Sequence, residues 1–282
     1  MRLPTLRRRP SRKPRVLLVP NQWDGSVQEY YHFLLGYLGP VLVWLERHPG
    51  TQIAMRDCGP MQPWIDALLG NEDLEILNPG AMLHLFAGKR HRSQVLRGFD
   101  DPARFDPAHL EAFRAIAIRR AGISASAAAA AGAPGTTVID RATSGDFNAT
   151  AAAEVPASGA TVRSIPNLRD VVTSPSFLSP ADAVQVVDAA HLDPVEQMQL
   201  FSSTSLLIGQ HGAGLANMLW LPRGSAVVEI LPPSPPWVEP IFSNLAAALG
   251  HRMAVVRQDG PHSPVDATAL AGAIASVRGG SA

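Results

Sequence analysis

Short apolar runs and amphipathic segments alternate along the chain. Residues 15–19 and 205–209 are mostly apolar, as expected of strands that are buried on both faces. Residues 31–45 instead repeat apolar side chains at spacings of three and four, which predicts a helix with one apolar face. Gly39-Pro40 lies inside this segment and is expected to kink or divide the helix. The alternation favours an α/β fold with parallel sheets covered on both faces.

The same pattern extends through the rest of the chain. Further strands are predicted over residues 51–56, 74–77, 136–140, 184–187, 226–231 and 253–257. Further helices are predicted over residues 61–69, 106–120, 194–202, 212–219, 240–249 and 266–277. Asp106 before Pro107 supplies an N-cap for one of these helices. Residues 142–160 are small and polar without a period, which predicts a surface loop.

These elements fall into two groups that we interpret as two Rossmann-like βαβ domains. The first covers residues 15–123 and the second residues 136–282. An Ala-rich stretch over residues 124–135 ends in Gly-Ala-Pro-Gly and is interpreted as the linker, although its alanines are also compatible with a longer helix.

Composition narrows the classes of function. The 282 residues carry no formal net charge, so the broad basic surface of a nucleic-acid binder is not expected. Cys58 is the only cysteine, which excludes an intramolecular disulfide and a cysteine zinc site and fits a reducing cytoplasm. No apolar stretch approaches the ~18–20 residues that cross a bilayer, so we expect a cytoplasmic protein.

The first residues of the chain are the exception to this neutrality. Residues 1–14 are rich in Arg and Lys and contain no acidic residue. The simplest interpretation is a disordered, solvated arm. The alternative is a peripheral contact with anionic lipid headgroups at the inner face of the membrane.

The most informative segment is a glycine-rich loop between a strand and a helix. The apolar run 205–208 leads directly into Gly209-Gln210-His211-Gly212-Ala213-Gly214, and a helix follows. Glycines let the backbone approach a phosphate, and the helix directs its free N–H groups at the anion. His211 can add a donor or a positive charge. The spacing matches neither the dinucleotide fingerprint nor the P-loop, so a simple tight turn is the alternative.

Residues 201–232 resemble the signature of glycosyltransferase family 61, in which a His-Gly-Ala-Gly-Leu-x-Asn loop precedes a Pro-x-Gly turn and a strand with Glu. Here the loop is His211-Gly212-Ala213-Gly214-Leu215-Ala216-Asn217, and the Glu is Glu229. Arg141 and the segment Arg163-Ser164-Ile165-Pro166-Asn167 are similar to an upstream Arg block of the family. Tyr30-Tyr31-His32 resembles a segment of its N-terminal half.

This resemblance implies a GT-B fold, with two domains facing each other across a cleft. It also implies inverting transfer of a sugar from a UDP-sugar co-substrate, without a metal or other cofactor. The acceptor would be a glycan or a lipid-linked glycan, bound on the side of the N-terminal domain. The residues carried over as donor-binding are Arg141, Arg163, Asn167, Gln210, His211, Gly212, Ala213, Gly214, Leu215, Asn217 and Glu229. Arg141, Arg163 and Asn167 would face or support the donor phosphates, and Glu229 would accept hydrogen bonds from ribose hydroxyls. Arg side chains suit such a role because their fork binds phosphate bidentately.

The catalytic base is predicted less directly. His32 has an ordinary pKa near working pH and is the first candidate, with a packed core histidine as the alternative. Asp24, in the loop after the first strand, is the second candidate and is otherwise a turn residue. Many bacterial relatives carry an acid where this chain has Gly36, so a catalytically inactive nucleotide-binding module is the rival function. The histidines show no metal-ligand spacing with acids, and no bound metal is predicted.

Overall fold

The computed structural model describes residues 15–19, 27–77, 93–97, 104–123, 135–141, 162–174, 177, 183–236 and 238–279. Within them, the first sheet contains β1 (Arg15–Val19), β2 (Gln52–Arg56), β3 (Leu74–Leu77) and β4 (Ser93–Arg97). Their order is β3-β2-β1-β4, and every neighbouring pair is parallel.

The second sheet is formed by later strands: β5 (Gly135–Ile139), β6 (Val184–Val187), β7 (Thr204–Gln210), β8 (Ala226–Leu231) and β9 (Arg252–Arg257). Their order is β6-β5-β7-β8-β9, again with parallel pairs only. The chain runs from β5 outward to β6 and then returns to β7 on the other side of β5. The strand order therefore reverses between β5 and β7, and in open parallel sheets a ligand crevice forms at the carboxyl ends of two such strands.

Helices follow most of the strands along the chain. A π-helix (His32–Leu38) continues into α1 (Gly39–Arg47), and the N-terminal half adds α2 (Gln62–Leu69) and α3 (Pro107–Arg120). The C-terminal half contains α4 (Leu168–Thr173), α5 (Pro194–Ser202), a 3₁₀ helix (Ala213–Trp220), α6 (Pro240–Leu249) and α7 (Ala267–Arg278). Short 3₁₀ turns occur at Gly59–Met61 and Ala189–His191. None of the described helices has the length and apolar character that a bilayer crossing needs.

One apolar cluster is shared by the two halves of the molecule. It contains the buried faces of the π-helix, α1, α2 and α3 together with those of α5, the 3₁₀ helix and α6. Trp64 from α2 stacks on Trp220 of the 3₁₀ helix, with ring centroids 5.9 Å apart, and Phe113 from α3 meets the same indole edge-on at 5.7 Å. The halves are therefore joined through packed side chains, and this burial is the main stabilising contribution at their junction.

The second sheet is covered on both faces, as its apolar strands predict. Leu207 belongs to the shared cluster, whereas its strand neighbours Leu206 and Ile208 belong to a separate cluster under α4 and α7. Successive side chains of a strand point to opposite faces, so a strand without polar alternation requires two apolar layers.

The α/β fold with two parallel sheets confirms the predicted fold class. The predicted strands and helices are all present, with ends shifted by at most two residues, within the part of the chain that the structure describes. β4 and α4 were not predicted. The basic arm at 1–14, residues 124–134 of the linker predicted at 124–135, and the loop at 142–160 lie outside the described residues. Gly135, the last residue of that linker, begins β5, and the domain limits stay a prediction.

The expected division of the first helix takes a particular form. The segment is a π-helix up to Leu38, where the N–H of Gly39 donates to Leu34 O five residues back, and an α-helix from Gly39 onward. Pro40 has no N–H to donate, so the change of helix type falls where an α-helical hydrogen bond is lost in any case. Gly39 also allows α3 to approach, since a β-carbon there would lie 2.9 Å from Phe113 Cδ1.

Candidate functional site

The glycine loop lies at the carboxyl edge of the second sheet, where β7 gives way to the 3₁₀ helix. Gly212 has φ 145° and ψ −179°, a conformation that side-chain-bearing residues rarely adopt. A β-carbon at Gly212 would lie 3.0 Å from Arg141 Nη2. Glycine is therefore required twice, by the backbone conformation and by the close approach of the guanidinium.

Two arginines converge on this loop from neighbouring segments. Arg141 follows β5 directly, and Arg163 Nη1 donates to His211 O at 2.7 Å. Burial and, to a smaller extent, the positive charge of Arg163 together lower the pKa of Arg141 to about 10, against a smaller opposing effect of Asp188. The two half-buried guanidinium groups repel each other, because the protein interior screens charges poorly. A bound anion would therefore be stabilised between them.

His211 is held in one orientation by contacts on three sides. Its N–H donates to Ile230 O on β8 at 2.8 Å. Its ring nitrogen Nδ1 lies 2.5 Å from Glu229 Oε1, and its ring meets Phe242 of α6 edge-on with centroids 5.1 Å apart. The exposed fraction of its side chain is only 9%. Such a ring is fixed before a ligand arrives.

The loop is also supported from beneath by a buried amide. Asn217 is 0% exposed, and its Nδ2 donates to Gly214 O at 3.1 Å. Its Oδ1 accepts a hydrogen bond from the hydroxyl of Tyr30, 2.8 Å away, in the N-terminal half. Leu215, also 0% exposed, packs in the shared apolar cluster. Asn217 therefore anchors the loop.

The family follows from comparison with known proteins. The model of the family described as Glycosyltransferase 61 matches residues 30–228 of the chain. The chain belongs to glycosyltransferase family 61. The predicted family resemblance is thereby confirmed, and the protein is a glycosyltransferase. No curated protein matches the chain.

Two solved glycosyltransferases are similar to this family 61 chain. One is E. coli ADP-heptose LPS heptosyltransferase II, with 12% identity, coverage of 93% of this chain and 98% of that chain, and a TM-score of 0.47. The other is a family 9 glycosyl transferase from Veillonella parvula, with 10% identity, coverage of 87% and 86%, and a TM-score of 0.39.

The predicted donor-binding residues of this glycosyltransferase do not all lie together. Arg141, Arg163, Gly212 and the backbone of His211 come together at the loop. Gln210 points elsewhere, since its Nε2 donates to Gln258 Oε1 at 2.7 Å and to Pro261 O at 3.0 Å. Gln210 therefore fixes the end of β7 to the segment that follows β9.

Asn167 and Glu229 have structural partners of their own. Asn167 exchanges two hydrogen bonds with the backbone of Val265, each 2.9 Å long, and so holds the segment before α7 close to α4. Its predicted contribution to the donor site stays a prediction. Glu229 is 0% exposed and contacts His211, and its predicted contact with ribose stays a prediction. Ala213 and Gly214 open the 3₁₀ helix at half-buried positions.

The two candidates for the catalytic base differ in what the structure shows. Asp24 lies outside the described residues. His32 begins the π-helix with a quarter of its side chain exposed, and its Nε2 lies 3.6 Å from Glu29 Oε2. Burial lowers the pKa of His32 to about 4, so the ring is neutral at neutral pH. That protonation state suits a proton acceptor, and it equally suits a packed histidine.

Sequence reasoning did not find Tyr30 and Phe242 as parts of the site. Tyr30 was noted only within the family-like segment, and its hydroxyl reaches a residue 187 positions away. Phe242 lies on an apolar helix face that gives no sign of contact with His211. The one available signal was a phenol at the apolar start of a helix, where a buried hydroxyl needs a partner.

Metal ligands do not cluster in the part of the chain that the structure describes. No group of three or more His, Cys, Asp or Glu side chains there is placed to hold a metal ion. Metal-independent catalysis stays a prediction, carried by the arginines at the loop.

Proposed function

We propose that this glycosyltransferase binds a UDP-sugar with its diphosphate at the loop between β7 and the 3₁₀ helix. The sugar passes with inversion to a hydroxyl of a glycan or lipid-linked glycan in polysaccharide biosynthesis, without a metal. The observation that carries the proposal is the convergence of Arg141 and Arg163 on Gly212 and His211 at the switch point between β5 and β7.

The loop supplies the charges that a departing diphosphate requires. Negative charge builds up on the leaving group as the glycosidic bond breaks, and preorganised donors stabilise it best. Arg141 and Arg163 supply delocalised positive charge, and the N–H groups that open the 3₁₀ helix lack acceptors within the helix. These groups take the place of the divalent cation that other transferases use.

Inverting transfer also needs a base for the acceptor hydroxyl. We assign this role to His32, with Asp24 as the alternative. The neutral ring of His32 can accept a proton, but a pKa of about 4 makes it a weak base. Catalysis by His32 would therefore require the bound acceptor to raise the basicity of the ring.

Calorimetric titration of UDP in the presence of EDTA tests the donor site. Arg163→Ala and His211→Ala are expected to weaken UDP binding about ten- to hundredfold, because each removes a charge-assisted contact. Arg257→Ala is the matched control, since Arg257 is 67% exposed and paired with Glu239 in the same half. Binding of UDP that requires a divalent cation, or no binding of any nucleoside diphosphate by the folded protein, would refute the proposal.

A second candidate function is a nucleotide-sugar-binding module without catalysis. It is favoured by Gly36, which is buried in the π-helix at a position where many bacterial relatives carry an acid. The two functions differ in turnover. Hydrolysis or transfer of a UDP-sugar by the wild-type protein, lost in His32→Ala, supports the enzyme, whereas UDP binding without any release of sugar supports the module.

Localisation follows the same proposal. We place the protein in the cytoplasm, with residues 1–14 in peripheral contact with the inner face of the membrane through their basic side chains. Co-sedimentation with phosphatidylglycerol vesicles should be lost when residues 1–14 are deleted, and it should be absent with phosphatidylcholine vesicles. Equal sedimentation of both forms would contradict the membrane contact.

A further inference from the structure

Glu229 is a carboxylate in the interior of the second sheet, where burial of a charge costs free energy. It lies in the middle of β8 with every strand residue buried around it, and it is 0% exposed. One oxygen, Oε1, is 2.5 Å from His211 Nδ1, and the other, Oε2, has no hydrogen-bond partner among the described residues. An apolar residue of similar size would fill this space at lower cost. A role through His211 accounts for the carboxylate.

Strand register brings the two side chains together. β7 and β8 pair with Gly209 opposite Glu229 and Gln210 opposite Ile230, and the N–H of His211 continues the ladder by donating to Ile230 O. His211 therefore follows the end of β7 with its ring in contact with Glu229. Arg163 holds the carbonyl of His211, and Phe242 packs against its ring.

This geometry leaves one ring nitrogen for a ligand. Nδ1 is occupied by Glu229, and none of the described residues hydrogen-bonds Nε2 of His211. A carboxylate accepts and does not donate, so the proton of the contact resides on Nδ1. Of the charged groups at the site, Glu229 of β8 contacts the ring, Arg163 contacts the carbonyl of His211, and Arg141 lies against Gly212.

We propose that Glu229 is a positioning residue for His211, which fixes the ring with Nδ1–H inward and turns Nε2 toward the diphosphate of the donor. The inference rests on the proposed function. While Nδ1–H donates to Glu229, only the doubly protonated ring can also donate from Nε2 to a phosphate oxygen, and the negative charge of Glu229 compensates the positive charge of that ring.

Nitrogen-15 NMR of histidine-labelled protein tests the inference directly. The ring signals of His211 are assigned by their loss in His211→Ala. We expect Nδ1 to be protonated in the wild type without ligand, and both ring nitrogens to be protonated when UDP is bound. Glu229→Gln can donate an N–H to Nδ1, so we expect a shift toward the neutral Nε2–H tautomer. That ring still donates from Nε2 but carries no positive charge, so we expect UDP binding to weaken about ten- to hundredfold.

Thr137→Val is the matched control for the loss of a buried hydrogen bond. Thr137 Oγ1 lies 2.7 Å from Thr204 Oγ1 in the same sheet. This variant should lower stability while the His211 signals and the UDP affinity stay unchanged. In the His211→Ala background, Glu229→Gln should weaken UDP binding no further, because the carboxylate acts only through the ring.

Three results would overturn the inference: an unprotonated Nδ1 in the wild type, a His211 spectrum unchanged by Glu229→Gln, or additive effects of the two substitutions. The first needs no variant, so it decides even if Glu229→Gln fails to fold. Failure of the proposed function looks different, since UDP would then not bind the wild type. The ring spectrum of the ligand-free protein still decides whether Glu229 positions His211.

Discussion

At the residue scale, Gly212 meets the strictest steric requirement in the site. Its φ of 145° disfavours any residue with a side chain, and the guanidinium of Arg141 lies 3.0 Å from the position that a β-carbon would take. Any side chain there has to strain the backbone and displace Arg141. The conformation of the loop and the position of the arginine are therefore determined by the same residue.

Gly212→Ala is expected to cost about 1–3 kcal/mol of stability through backbone strain and to weaken UDP binding at least tenfold through displacement of Arg141. Thermal denaturation and calorimetric titration measure the two effects. Gly224→Ala is the control, because Gly224 also has a positive φ of 83° but a β-carbon there meets open space. It should lower stability alone. Unchanged UDP affinity in Gly212→Ala would contradict the assignment of the loop.

The sequence predicted the loop but not the contacts that hold it. A strand, closely spaced glycines and a helix follow from the order of residues alone. The pairing of His211 with Glu229 depends on the register of β7 against β8, which no local pattern specifies. The partner of Asn167, Val265, lies 98 positions away. Long-range hydrogen bonds of this kind are set by the tertiary fold.

At the element scale, one residue at the junction of the π-helix and α1 affects both the type of helix and its packing against α3. Gly39 donates the last π-type hydrogen bond and faces Phe113 of α3. π-helical segments are rare and often occur near functional sites, and this one begins at His32, the candidate base.

Gly39→Ala is expected to destabilise the protein by about 1–3 kcal/mol, because its methyl group would lie 2.9 Å from Phe113 Cδ1. In a double-mutant cycle, Phe113→Leu should relieve part of this cost, measured by chemical denaturation. Gly272→Ala in α7 is the control, since a β-carbon there meets nothing within 4 Å and alanine favours the helix. Additive losses from Gly39→Ala and Phe113→Leu would contradict the steric explanation.

Secondary structure was predictable where apolar residues repeat strongly. β4 was missed because Ser93–Arg97 contains only Val and Leu between polar residues, and α4 because six residues hold too few turns for a period. The π-helix was not predictable either, since its apolar spacing over one or two turns does not differ clearly from that of an α-helix.

At the scale of the whole molecule, the hydrogen bond between Tyr30 and Asn217 links the N-terminal half to the glycine loop. Tyr30 donates to Asn217, Asn217 donates to Gly214 O, and Trp220 Nε1 lies 3.5 Å from the Tyr30 hydroxyl. Burial raises the pKa of Tyr30, so the phenol stays protonated and remains a donor. A displacement of the N-terminal half would therefore change the position of the glycine loop in the C-terminal half.

Tyr30→Phe removes this donor and leaves Asn217 Oδ1 buried without it. We expect a loss of about 1–3 kcal/mol of stability and weaker UDP binding through a looser loop. Denaturation with urea and calorimetric titration measure both. Tyr37→Phe, in the buried π-helix seven residues further on, is the control and should leave UDP binding unchanged. Equal UDP affinities of Tyr30→Phe and the wild type would rule out the coupling.

Stability should fall as the pH falls from about 6.5 toward 4. Burial lowers the pKa values of His32 and His251 to about 4, so the unfolded chain takes up protons that the folded chain excludes. The free energy of unfolding then decreases by up to about 1.4 kcal/mol per pH unit for each histidine.

Urea denaturation of the wild type and of His32→Gln/His251→Gln across this pH range measures the effect. The double variant should lose stability less steeply than the wild type as the pH falls. Parallel curves for the wild type and the double variant would show that other groups cause the loss.

The fold class was predictable at this scale, but the junction of the halves was not. Helical periodicity shows which face of a helix is apolar, and it does not show which surface covers that face. Trp220 and Trp64 lie 156 positions apart in sequence, and their stacking is visible only in three dimensions.

The shared apolar cluster also limits how this enzyme can be rebuilt from parts. Cutting the chain after residue 123 would expose Trp220, Leu219 and Phe242, all of which are now covered, and exposed aromatic surfaces of this kind promote aggregation. Under the proposed function, donor and acceptor specificities are therefore coupled through this junction. A functional chimera with another family 61 enzyme would have to exchange the facing helices of both halves together. A change of specificity in one half would therefore require a matching change in the other.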